Sequence, residues 1–185
     1  YSAGPYSQKR RVYKKSQEGT LPEVDNWTPG WTATGYRLIR YADVLLLLAE
    51  RQIETGDLDG ARQNINRVRA RAANPDGTVK NDDGTDAANY QVSEYTATGF
   101  PFDSQENARK ALRMERKLEL GMEGHRFFDL QRWGIVVEEL NSILAYEKTE
   151  LPVIYVSATV GPEDALYPIP QREIDLMGGR LVQNR

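Results

Sequence analysis

The sequence predicts a mainly α-helical fold: a helical hairpin, further helices behind it, long irregular loops and an extended C-terminal tail. Three observations predict it. Residues 37–54 are apolar almost continuously over a length that suits a helix. Leu58, Ala61, Ile65, Val68 and Ala72 then recur at helical spacing. Residues 74–101 and 151–185 carry Asn, Asp, Gly, Thr and Pro without either periodicity.

The elements follow in order. Residues 1–36 read as irregular, punctuated by Gly4-Pro5, Pro29-Gly30 and Gly35, with a basic run from Lys9 to Lys15 that reads as an extended strand. Arg37 to Glu54 reads as a helix apolar nearly all round, and such a helix is expected to be central and buried. Its narrow polar stripe holds Arg40, Asp43 and Glu50. Gly56 ends it and Asp57 caps the amphipathic helix that follows, which Pro75 closes. The pair fits a tetratricopeptide-type hairpin, because Ala49 and Ala61 supply small residues where two such helices pack closely. Gln52 stands where that repeat uses an aromatic residue, and no second repeat of equal quality is visible.

Residues 74–102 read as a long surface loop. Asp103 or Ser104 caps a third helix that runs to about Gly121. A shorter helix is expected from Gly124 to Trp133, and Ile135 to Leu144 continues the helical pattern. Beyond Leu151 the tail reads as extended, with a short strand at Val153 to Val156 and one or two helical turns at Gln171 to Met177.

Composition excludes several functions. The chain has 185 residues and a net charge of −3, with 24 basic and 27 acidic side chains interleaved. Phosphate binding needs a cationic excess, so no nucleic-acid partner is expected, nor an anionic membrane surface. With no cysteine there is no disulfide, zinc-thiolate site or cysteine nucleophile. The longest apolar run, Val44 to Ala49, is six residues, far short of a membrane span. No signal peptide is visible, and the start at Tyr1 rather than Met reads as processing or trimming.

The third helix carries an anomaly. Ala108, Ala111, Leu112, Leu118 and Met122 define an apolar face, and Glu115 and Glu119 fall in its middle, with Glu123 at its edge. Buried carboxylates are costly unless paired. One reading is a catalytic acid/base pair, glycosidase-like in its two carboxylates, or a carboxylate-histidine metal site. The other is an internal ion-pair network of Arg40, Asp43, Glu50, Arg113, Glu115, Arg116, Glu119, Glu123, His125, Arg126, Asp129 and Arg132. The surplus of arginine favours the network, because a guanidinium suppresses the raised pKa a general acid needs. A single histidine, spaced wrongly for a di-iron bundle, argues against a metal. No cofactor is expected. Phe127, Phe128 and Trp133 read as core packing.

These segments resemble a known family. Tyr36 to Arg51, YRLIRYADVLLLLAER, is similar to the segment IRYAEVLLMYAEA of SusD/RagB-type proteins. Ala111 to Gly134, ALRMERKLELGMEGHRFFDLQRWG, resembles their block ERRxELAFEGHRYFDLRRWG. Tyr167-Pro168-Ile169-Pro170 and Leu181-Val182-Gln183-Asn184 look like the family's ending, although Met177-Gly178-Gly179 replaces its Asn-Pro. The Lys9 to Lys15 run fits a strand that precedes the helix in the family.

The resemblance implies a SusD-like helical fold of which residues 1–185 form the C-terminal part. It implies a non-catalytic subunit that captures a glycan, or another nutrient such as a peptide, at the cell surface. The partner would be a SusC-like TonB-dependent transporter. The location would be the outer membrane of a Bacteroidetes-type bacterium, with lipid anchoring through an N-terminal cysteine absent from this chain. A glycoside hydrolase using Glu115 and Glu119, and a tetratricopeptide scaffold gripping a protein partner, are the competing readings. Sugar recognition uses flat rings with polar neighbours. The loop aromatics Trp27, Trp31, Tyr90, Tyr95 and Phe102 are therefore the candidate ligand contacts, the alternative for each being that it pins its loop to the body. Trp31, presented after Pro29-Gly30, is the best single candidate.

Overall fold

A computed structural model describes residues 37–184. It is mainly helical, and no β-strand occurs among the described residues beyond one isolated bridge between Lys80 and Asp86. The described chain forms two units, one up to Met122 and one from Glu123 onward.

The first unit contains helices α1 (Tyr41–Glu54), α2 (Leu58–Ala73) and α3 (Gln105–Glu119). α1 packs on both of the others. The hairpin is closed by its turn chemistry: the Asp57 side chain accepts from Gly60 N at 2.9 Å, an N-cap for α2. A Cβ on Gly60 would collide with Asp57 Oδ2 and Gln52 Nε2, so glycine lets both side chains lie over the first turn. Gln52, the departure from the repeat pattern, donates to Asp57 Oδ2 at 2.8 Å and accepts from Asn64 Nδ2 at 2.8 Å. A polar tie thus stands where the repeat would place a ring. Ala49 and Ala61 are fully buried at the helix crossing, as close packing there requires.

Two expectations for this unit are corrected. α1 begins at Tyr41, not Arg37, because residues 37–40 are not helical. Nor is it buried all round. Ala42, Leu45, Leu46, Ala49 and Ile53 form the core with Ile65, Val68, Ala108 and Leu112, whereas Val44, Leu47 and Leu48 are exposed. Two neighbouring helices cover only the sides of α1 that they touch, and α2 and α3 leave this stripe uncovered. Leu118 and Met122, expected on the buried face of α3, are likewise exposed. The buried face of α3 runs instead through Ala108, Ala111, Leu112, Glu115 and Arg116. Its N-cap is Ser104, whose hydroxyl accepts from Asn107 N.

Between α2 and α3 the irregular segment is fastened by side chains. Asn66 of α2 donates to Tyr95 O at 2.8 Å and accepts from Tyr95 N at 2.8 Å, an amide acting as a strand partner. Because Asn66 is buried, Asn66→Ala leaves two backbone groups unpaired and is expected to cost about 2 kcal/mol. Chemical denaturation checks this; a change below about 0.5 kcal/mol would mean water replaces the amide.

The second unit holds α4 (Arg126–Arg132), α5 (Val136–Glu150), α6 (Pro152–Tyr155) and α7 (Gln171–Leu176). α5 packs on α4, on α6 and on a 3₁₀ turn at Pro162–Ala165. α5 extends to Glu150, past the expected Leu144. The strand expected at Val153 to Val156 is helical: Tyr155 N donates to Leu151 O and Val156 N to Pro152 O. With no strand beside it among the described residues, this run satisfies its backbone locally, and Pro152 at the first helical position sets φ for that turn. Helical turns do form at Gln171–Leu176. The tail is fastened by two further amides. Asn141 pairs with both backbone groups of Val160 at 2.8 and 3.0 Å. Gln183 does the same for Ile169 at 2.7 and 2.9 Å.

Candidate functional site

The helix carboxylates are bound to arginines. Glu115 is 5% exposed, and its Oε2 accepts from Arg69 Nη1 at 2.8 Å. Glu119 accepts from Arg40 Nη1 at 2.6 Å on one oxygen and from Arg71 Nη2 on the other, while Arg40 Nη2 reaches the Glu119 backbone carbonyl at 2.8 Å. Arg116, 3% exposed, meets Asp43 of α1 at 2.8 Å. The three helices are therefore cross-linked by charge, with α3 supplying Glu115, Arg116 and Glu119. Arg69 and Arg71 were not among the candidates. They lie on the amphipathic second helix, where an arginine reads as solvated, and only the helix crossing brings them onto Glu115 and Glu119.

The remaining candidates fall elsewhere. Glu50 is half-buried on α1, and Arg113 is half-buried on α3, where its charge bears on Glu54. Glu54 itself takes a two-pronged contact from Arg109, Nε at 2.7 Å and Nη2 at 2.6 Å. That hydrogen bond holds the Glu54 carboxyl below its ordinary value. A carboxyl with a depressed pKa stabilises the fold above its unfolded value, and the contribution fades as pH falls through the folded one. Arg109→Ala is expected to return Glu54 toward ordinary carboxylate titration, read by carboxyl carbon NMR; an unshifted titration would show that the contact does not persist in solution.

In the second unit, Asp129 is buried and accepts from Arg132 Nε at 2.9 Å, and Arg126 Nη2 donates to Glu139 at 3.0 Å. Arg132 and Arg126 lie 4.9 and 5.9 Å from the Trp133 ring centre. Phe127 meets Phe128 edge-on at 6.2 Å and Tyr167 at 5.9 Å, while Phe128 is largely exposed. His125 stands at the N-cap of α4 without a side-chain capping bond, and Glu123 is half-buried.

The loop aromatics divide. Tyr95 and Phe102 pack against the core of the first unit and meet edge-to-face at 5.4 Å. Arg69 lies 4.3 Å from the Tyr95 ring centre. Burial pushes the Tyr95 phenol above its usual range, with Arg69 pulling the other way. Both rings thus pin the loop to the body. Tyr90 is exposed, its hydroxyl oxygen accepting from Val79 N at 3.2 Å, and Phe100, 74% exposed, presents its ring to solvent. Trp27, Trp31 and the Lys9 to Lys15 strand lie outside the described residues.

One groove is lined by arginine. About 510 Å³ of space opens between the start of α1 and the end of α2, bordered by Arg37, Ile39, Arg40, Tyr41, Arg67 and Arg71. The Tyr41 ring is mostly exposed, and Arg67 lies 5.4 Å from its centre and donates to its hydroxyl at 3.0 Å.

Among the described residues, a helical hairpin of tetratricopeptide type, an arginine-tied α3 and an amide-fastened tail define a mainly helical protein with long irregular insertions. Its sequence matches the SusD family over residues 2–185, and the chain belongs to that family. It is 30% identical over 155 residues to the SusD-like protein P25 of Formosa agariphila, covering 83% of this chain and 24% of that protein. The crystal structure of a SusD superfamily protein from Bacteroides vulgatus superposes with a TM-score of 0.52 at 29% identity, covering 76% of this chain and 25% of that one. The chain thus spans about a quarter of the length of these relatives.

Proposed function

We propose that this chain is the C-terminal part of a non-catalytic nutrient-binding subunit that captures a glycan at the cell surface and hands it to a SusC-like TonB-dependent transporter. The whole protein would be a lipoprotein of the outer membrane. The family match over residues 2–185 carries this reading. The geometry of α3 supports its non-catalytic part, since Glu115 is tied to Arg69 and Glu119 to Arg40 and Arg71, contacts that join α3 to its neighbours. Glycan contacts are assigned to loop rings: Trp31 first, then Trp27 and the exposed Tyr90. Tyr95 and Phe102 serve by holding their loop to the core.

Isothermal titration of the intact protein against a panel of oligosaccharides tests the proposal, with product analysis of each mixture. Saturable binding without turnover is expected. Trp31→Ala is expected to weaken binding with the melting temperature unchanged; a lower melting temperature with affinity intact would make that ring a packing residue. Hydrolysis that disappears in Glu115→Gln or Glu119→Gln would overturn the reading.

A further inference from the structure

We propose that the arginine-lined groove between α1 and α2 is a subsite for a saccharide bearing an oxyanion, either a uronate carboxylate or a sulfate ester. The inference rests on the glycan-capture reading and adds a ligand class to it. Four guanidinium groups, from Arg37, Arg40, Arg67 and Arg71, border the groove, and no acidic residue is among its described lining. Arg40 and Arg71 are held by Glu119, so the charge open to a ligand is that of Arg37 and Arg67. Arg67 is exposed and engages Tyr41, a neutral partner. Arg37 is exposed and has no ion-pair partner among the described residues.

Among its described residues the groove therefore presents the positive charge of Arg37 and Arg67, although the whole chain is net negative at −3. A cleft lined by one sign of charge concentrates groups of the opposite sign. Guanidinium is suited to the task, because its planar fork matches carboxylate and sulfate oxygens two at a time. The Tyr41 ring and Ile39 add an exposed apolar wall, the combination of flat ring and charged donors that a charged pyranose needs. The opening of about 510 Å³ lies within the range of small-molecule sites and accommodates one or two sugar rings.

The test uses the intact protein and three probes: a uronic-acid oligosaccharide, a sulfated neutral oligosaccharide and an uncharged oligosaccharide of equal length. At least one charged probe is expected to bind more tightly than the uncharged one, with affinity falling as salt rises. Arg37→Ala and Arg67→Ala are each expected to weaken that probe about tenfold while leaving the uncharged probe and the melting temperature unchanged. The carboxylate and sulfate arms identify the group. Charged binding indifferent to both substitutions, or uncharged binding as tight as charged, would overturn the groove assignment and leave glycan capture standing. Failure of all three probes to bind would remove both.

Discussion

Arg116→Ala is expected to destabilise the protein by about 4 kcal/mol, the largest effect of any single charge removal in the first unit. The Arg116 and Asp43 side chains are 3% and 9% exposed and meet at 2.8 Å across the α1–α3 interface. Truncating the arginine leaves the Asp43 carboxylate in the core without its cation, where water does not reach to replace it. The replacement of both partners by apolar residues makes the control. Arg116→Met combined with Asp43→Leu is expected to recover most of the loss, since the cost lies in the orphaned charge. Urea denaturation of the three proteins checks this. A loss under about 1 kcal/mol for Arg116→Ala would mean that the interface opens to solvent.

Leu46→Ala is expected to cost about 3 kcal/mol, against less than about 1 kcal/mol for Leu47→Ala one residue along. Leu46 is completely buried on the side of α1 that faces the core, whereas Leu47 is 44% exposed. The first substitution opens a cavity among Ile53, Ile65 and Leu112; the second removes methyls that already touch water. Equal losses would show that the outward stripe of α1 is covered in the intact protein, and thermal denaturation of the pair gives the comparison directly.

Helices were legible because each carries its own evidence. The apolar recurrence in α2 and the Ser104 cap of α3 are local features, and they held within a residue or two. The burial of Glu115 followed from its place on the α3 face. Its partner did not, because helical periodicity gives the direction a side chain leaves its own axis and nothing about which residue of another helix meets it. Arg69 and Arg71 became partners through the angle at which α2 crosses α3. The same limit explains α1. Eight apolar residues on one helix suggest a buried rod, but burial is a property of neighbours, and those present cover only part of it. At Val153 to Val156 the β preference of the side chains points to a strand, and with no strand beside it among the described residues the segment turns helical instead. The loop rings were separable only in space: Tyr95 and Phe102 have sequence surroundings no different from those of Tyr90, yet only the first two reach the core.

The amide ties at Asn66, Asn141 and Gln183 set the chemical lifetime of the irregular half of this fold. Each presents one donor and one acceptor to a backbone carbonyl and N–H of a segment that joins no sheet among the described residues. Hydrolysis of such an amide to a carboxylate alters the molecule by a single functional group, with hardly any change of shape. It removes the donor and sets an anion against a carbonyl oxygen, turning a clasp into a repulsion. Asn66 and Asn141 stand on α2 and α5, so a chemical change at a helix side chain is felt in the loop fastened to it.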